Sequence, residues 1–450
     1  MASARGEFSS RFGFVMAAAG SAVGLGNIWG FPTQAASNGG AAFLLVYLFL
    51  AFTLAYPALM AELIIGRHAH ANAVSALRLI SPTPLLRHIG ATTGVIGLIV
   101  ASLILSFYAI VAGWMIAFCL SSLSQLLGMT EVSDWLTSFG LPRNIFFMLA
   151  FMALTVGIIS EGVREGIERW SERLMPVLLV TLVLLVLYVL TLDGAMEGLK
   201  VYLLPDVERA LSPQLIISAL GAAFFSLSLG VGTMLIYGSY INDDENLPVV
   251  GSLVTLVDIS IAVIAGFLVL PAMYVALHNG VEIFTDTGEL ISEDTLIFTV
   301  LPELFNTMGT TGTVISFTFF ALMSIAALTS SISMLEVPVA YTIEEHGVGR
   351  KKAVFVIGGL IALVSTVILM NFSGLFGLVV AFTTRYSQPL LGFMFCVYAG
   401  WIWHRDQLLQ EVRKGSPKVE HTLFWSIWPW YVRFVCPVII LAIFAQSILG

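Results

Sequence analysis

The sequence predicts an all-α polytopic membrane protein, built as two inverted five-span repeats with a broken helix at the head of each. Three observations predict it. Of 450 residues, 58% are hydrophobic and 11% charged, with mean hydropathy +0.95, and several runs exceed the ~18 apolar residues that mark a membrane crossing. Gly20, Gly24 and Gly26 interrupt the first run and Asn27 follows at once, with Pro32 a little further on. A second interrupted stretch, Phe225-Ser226-Leu227-Ser228-Leu229-Gly230-Val231-Gly232, recurs five spans later. Five is odd, so the second copy is expected upside down relative to the first.

Eleven spans are expected in order. The first, 11–37, should unwind in the middle, because each glycine costs a helix interior about 1 kcal/mol relative to alanine. Unwound backbone at membrane depth is tolerated where it lines a cavity or is buried in protein. There its carbonyls can face a cation and the next half-helix's N–H groups an anion. A glycine packing face is the bland alternative, but it does not account for Asn27 or Pro32. The second span, 41–67, carries Glu62, and the third, 89–124, carries Tyr108. The fourth and fifth, 144–160 and 167–192, are apolar and complete a first repeat over residues 1–192. The sixth, 213–240, holds the second break. The seventh, 248–277, carries Asp258, and a carboxylate in mid-span is expensive and usually functional. The eighth, 311–343, carries Thr329-Ser330-Ser331 and Glu336, the latter without an assigned role. The ninth and tenth, 352–370 and 374–403, close a second repeat over 193–403; the tenth carries Arg385. A loop and the eleventh span, 424–448, occupy 404–450.

Lys and Arg concentrate in alternate loops, from Arg5 and Arg11 to Arg413, Lys414 and Lys418, whereas the opposite loops hold only Arg143, Lys200 and Arg209. The positive-inside rule then places the N-terminus in the cytoplasm and, after an odd number of spans, the C-terminus outside, in a bacterial inner membrane. The first apolar run is too long for a cleavable signal and carries the glycine motif. Cys119, Cys396 and Cys436 lie in apolar runs without disulfide or metal spacing and read as packing residues. The net charge of −8 sits in loops. No nucleic-acid partner is expected beside the bilayer, and the sequence does not specify an oligomeric state.

Taken together, AVGLGNIWGFP in the first span, Glu62, Tyr108, FFSLSLG in the sixth span and ALTSSIS in the eighth resemble the neurotransmitter:sodium symporter family over nearly the whole chain. The span count is similar to that of its bacterial members, such as the leucine and multi-hydrophobic amino-acid transporters. The resemblance implies the leucine-transporter fold and Na⁺-driven uptake of an amino acid or amine by alternating access. It implies a first Na⁺ site at the Ala22 carbonyl, Asn27, Ser226 and Asp258. A second is implied at the carbonyls of Gly20, Val23 and Ala326 with the hydroxyls of Thr329 and Ser330. Hydroxyls back-bonding within one helix are the bland alternative for the last two.

For a small zwitterionic substrate, the resemblance implies that N–H groups near Leu25 and Gly26, the Tyr108 hydroxyl and the first Na⁺ hold the carboxylate. Carbonyls near Ala22, Phe225 and Ser228 take the ammonium, with Gly24 and Ser226 alongside. Ile104, Tyr108, Phe225, Val231, Ser330 and Met334 form the wall. That wall is apolar, which favours an apolar or aromatic side chain; plain helix packing is the competing reading for Phe225 and Met334. Asp258 stands where animal relatives commonly carry a neutral residue and need chloride, so no chloride requirement is expected. A protonated, hydrogen-bonded Asp258 is the alternative. Glu62 is expected to satisfy donors freed in the first span.

One position departs from the family pattern. Gly30 replaces the Arg of the outer gate, and the tenth-span acidic partner is missing near Val380. Arg385 is then a relocated gate cation, a contact for an acidic substrate group, or a structural residue bonded to carbonyls. This opens a second reading, a symporter of a non-standard amino acid, amine or osmolyte. At the inner end, Arg5 and Glu344, with Tyr240 nearby, resemble the cytoplasmic gate. A channel would need a continuous polar pore, which the apolar wall argues against. A transporter-like sensor would usually carry a long soluble signalling domain, which neither terminus has. No enzyme is expected, because no nucleophile–base or metal-ligand spacing occurs.

Overall fold

The computed structural model describes residues 6–204, 212–284, 290 and 296–449. Every expected span falls on helix. Among the described residues, eight helices are long and apolar enough to cross a membrane, or nine when the bent pair Arg11–Ala22 and Gly26–Ser37 counts as one span. The expected sixth and tenth spans are also helical but are assembled from shorter pieces.

Local chemistry sets the helix starts. Ser10, Thr83, Ser212 and Asn246 each accept a backbone N–H from the first turn of the helix that follows, and proline opens the last three. The two breaks have different causes. Arg11–Ala22 stops because Val23 turns extended, at φ −72° and ψ 102°, and the chain resumes at Gly26 after bending by 59°. Pro213–Ser226 stops because Ser228, Gly230 and Gly232 take φ of +52°, +78° and +83°, which no right-handed helix accommodates. Gly230 is required twice over: its φ is left-handed, and a β-carbon there would run into the backbone carbonyl of Gln388.

Close backbone approach packs the bundle. Gly94 lies on the backbone of Val74, Gly113 on that of Phe147 and Met148, and Gly66 on that of Leu235. Small residues at such crossings are how helices associate in lipid, where no hydrophobic drive acts between them. Large apolar side chains such as Phe49, Val180, Leu184, Leu187, Leu363 and Val438 stay exposed, as a surface facing hydrocarbon requires.

The end of the bundle next to the described N-terminal residues is cross-linked by hydrogen bonds and an ion pair. The N–H groups of Ser9 and Ser10 donate to Glu168, and that of Phe8 donates to the Tyr240 carbonyl. Arg350 pairs with the fully buried Glu336 at 2.6 Å, and the Tyr240 hydroxyl donates to the same carboxylate at 2.7 Å. Beside this network, Glu411 from the loop before the eleventh span pairs with Arg67 and His68 at the end of Ala41–Ala69.

Candidate functional site

The two breaks face each other across the centre of the bundle. Ser228, in the sixth-span break, donates to the carbonyl of Ser21 at 3.1 Å, and a methyl group on Gly26 would meet the Phe225 ring at 2.7 Å. Around this junction the structure gathers both expected oxygen clusters.

In the first cluster, Asn27 Nδ2 donates to Ser226 Oγ at 2.8 Å and to Asp258 Oδ1 at 2.6 Å. Ser226 Oγ donates to Asp258 Oδ2 at 2.7 Å, and the Tyr47 hydroxyl to Ser226 at 3.2 Å. Asn27 Oδ1 accepts the Gly24 N–H. Asp258 is fully buried and forms no ion pair among the described residues. Two neutral donors hold both of its oxygens. A buried carboxylate without a counter-charge is costly, and a bound monovalent cation would supply that charge. Hydroxyl, amide and carbonyl oxygens with a single carboxylate suit such a hard cation. No group of three or more His, Cys, Asp or Glu side chains converges among the described residues, so nothing there favours a softer or multivalent ion.

In the second cluster, Ser330 Oγ donates to the carbonyls of Val23 at 3.1 Å and Gly20 at 3.3 Å. A β-carbon on Gly20 would touch Thr329 Cβ at 3.1 Å, so the first span lies directly against Thr329. The Thr329 hydroxyl itself donates to Ala326 and Ile325 within its own helix. All five expected positions are therefore neighbours, with Thr329 in the back-bonded rotamer and Ser330 reaching across.

Between the clusters lies a small cavity of about 20 Å³. Of the twelve positions expected around the substrate, eleven line it; Ser226 stands instead in the first cluster. Leu25 N–H donates to the Tyr108 hydroxyl at 3.2 Å, which joins the two groups expected to hold a carboxylate. Gln388 of the tenth span also lines the cavity. Sequence reasoning missed it, although it ends the polar run Thr383-Thr384-Arg385-Tyr386-Ser387-Gln388.

Comparison with known proteins gives this geometry its context. Residues 5–140 and 129–450 match the model of the "Sodium:neurotransmitter symporter family". The chain belongs to that family. It is 35% identical to an uncharacterised sodium-dependent transporter, YhdH, of Bacillus subtilis (strain 168), over 98% of this chain and 97% of that one. It is 28% identical to a sodium-dependent serotonin transporter of Drosophila melanogaster, over 97% of this chain and 75% of that one. Among solved structures, MhsT in complex with L-phenylalanine superposes with a TM-score of 0.84 at 34% identity, covering 98% of this chain and 100% of the other. The chain is thus a sodium-dependent transporter with the sodium:neurotransmitter symporter fold.

Several expectations change against that background. Glu62 does not serve the first break: its Oε1 accepts the N–H of Gly230 at 2.7 Å, in the sixth. The donor was misassigned because both breaks free N–H groups and only packing decides which one the second span meets. Glu336 gains a role as the buried partner of Arg350 and Tyr240. Glu344 accepts from the backbone and side chain of Asn72 at 2.8 and 2.9 Å, and its expected partner Arg5 lies outside the described residues. Gly30 has no atom within 4 Å of a β-carbon built on it, so the position that carries the gate Arg in the symporter family opens onto free space here. Arg385 is exposed, with its guanidinium 5.9 Å from the Tyr386 ring centre, and it does not line the cavity.

Proposed function

We propose that this transporter is a Na⁺-coupled secondary symporter that imports a small amino acid with an apolar or aromatic side chain by alternating access. The observation that carries the reading is the fully buried Asp258, held by Asn27 and Ser226 without an ionic partner among the described residues, beside an apolar cavity that ends at Tyr108 and the broken first span. The carboxylate there calls for a cation, and that cation stands next to the groups placed to take an α-carboxylate. Two Na⁺ ions are assigned, one at Ala22, Asn27, Ser226 and Asp258 and one at Gly20, Val23, Ala326, Thr329 and Ser330. Chloride is not required, because Asp258 supplies a fixed negative charge. The protein works in a bacterial inner membrane with its N-terminus in the cytoplasm and its C-terminus outside.

A second reading, transport of a non-standard amino acid, amine or osmolyte, draws on Gly30. With that side chain gone, the position stands open. Uptake of labelled amino acids and amines into proteoliposomes, in Na⁺ against K⁺ buffer, separates the two and tests both. Equal uptake in Na⁺-free buffer would overturn the coupling.

A further inference from the structure

Gln388 is a polar residue in a cavity whose side-chain wall is otherwise largely apolar. It is 3% exposed, and its Oε1 is buried with no hydrogen-bond partner among the described residues. Buried side-chain amides are normally satisfied, and Gln388 stands in the wall of this cavity and of a neighbouring one lined by Leu220, Phe224 and Thr384, so its open acceptor calls for a partner that enters one of the two. The carboxamide offers an acceptor and two donors, so either orientation of the group presents a hydrogen-bonding atom.

The group is also held in place. Gln388 begins the helix Gln388–Val397 directly after the π-helical segment Ala381–Ser387. The Gln388 carbonyl occupies the space that a β-carbon on Gly230 would need, which pins the tenth span to the sixth-span break. Gln388 is the tenth span's contribution to the cavity, while Leu25 and Tyr108 stand with the broken first span.

We propose that Gln388 is a specificity-determining residue that pairs with a hydrogen-bonding group on the substrate side chain. The transported amino acid then carries a hydroxyl, phenol, indole N–H or amide on a side chain that otherwise fits an apolar wall. This deepens the amino-acid symport reading and rests on it. A site built to hydrogen-bond a substrate group rejects the analogue that lacks it, because the protein's own polar atom is then left unpaired.

The test compares near-isosteric pairs, tyrosine with phenylalanine and threonine with valine, in Na⁺-dependent binding to the purified full-length protein. In the wild type, the hydrogen-bonding member of at least one pair binds about tenfold tighter or more. Gln388→Met, which keeps length and removes the amide, brings that ratio toward one; Gln388→Leu replaces it if the Met variant does not fold. Ratios near one in the wild type overturn the assignment without any variant. So does a preference that survives Gln388→Met, or a variant that weakens both members of a pair equally, which would place the amide on the part all amino acids share. If no amino acid binds in Na⁺, the symport reading fails and the assignment fails with it. If amino acids bind in Na⁺ with flat ratios, the assignment fails alone.

Discussion

Asp258 concentrates the electrostatics of the site in one side chain. Asn27 and Ser226 satisfy both carboxylate oxygens, and Tyr47 bonds in turn to Ser226. If that charge replaces chloride, substituting gluconate for chloride leaves wild-type uptake unchanged, and Asp258→Asn lowers transport or makes it respond to chloride. Wild-type uptake that stops without chloride would refute this. Asn27→Ala removes one of the two neutral donors from a buried carboxylate. Losing a hydrogen bond to a buried charged group costs about 1.5–3 kcal/mol, roughly ten- to a hundredfold in affinity, so Na⁺-dependent substrate binding should fall by that order. Ser330→Ala, acting on the second cluster, should weaken it too. Binding titrations at fixed substrate and varied Na⁺ measure both. At this scale the sequence was informative, because oxygen donors are intrinsic to Asn, Ser, Thr and Asp and the family pattern supplies their convergence. Gln388 escaped for a physical reason. Each extra residue in a π-helical turn rotates the register by roughly 100°, so regular helical spacing through Ala381–Ser387 assigns the residues beyond it to the wrong face.

The broken helices are held open by particular acceptors, and these depend on packing that a linear reading does not reach. Glycine spacing points to interruptions around Gly20–Gly26 and within Phe225–Gly232, and the structure breaks the helices at 23–25 and 227–232, but that spacing does not give the fact that Glu62 serves the sixth span. Glu62→Ala leaves the buried Gly230 N–H without its acceptor, at a cost of about 1–3 kcal/mol. Glu62→Gln keeps a carbonyl oxygen and should recover most of it. Thermal unfolding in detergent distinguishes the two, and equal stability of both variants would show that the bond does not matter. In the tenth span, Arg385 is proposed to help close the outer pathway in place of the cation missing at Gly30. Arg385→Lys should then retain partial transport, and Arg385→Ala should bind substrate but lose occlusion, measured as faster substrate dissociation. Selective loss of affinity for acidic substrates would instead make it a substrate contact. Wild-type transport in Arg385→Ala would leave it a structural role.

Across the whole molecule, the ends of distant helices are joined by charges that the sequence presents only as loop residues. Glu411 is nearly 350 positions from Arg67, yet its carboxylate lies 2.8 Å from Arg67 Nε and 3.0 Å from Lys414 Nζ, with His68 at 3.1 Å. Burial opposes ionisation of Glu411, but the bonds from His68, Arg67 and Lys414 outweigh it and hold the carboxyl down from 4.5 to about 2. A carboxyl that binds its proton less tightly when folded than when unfolded stabilises the fold above its unfolded pKa. That contribution, on the order of 2 kcal/mol after allowance for solvent screening, is complete at neutral pH and is lost as pH falls from about 4.5 toward 2. The thermal midpoint of the wild type should therefore drop through that window. Glu411→Gln cannot ionise, so it should lack this component of the drop. It should also be less stable than the wild type at pH 7, because Arg67 is then buried opposite a neutral amide. A Glu411→Gln protein that matches the wild type at pH 7 and follows the same acid profile would mean that this junction does not hold the eleventh span's loop to the second span.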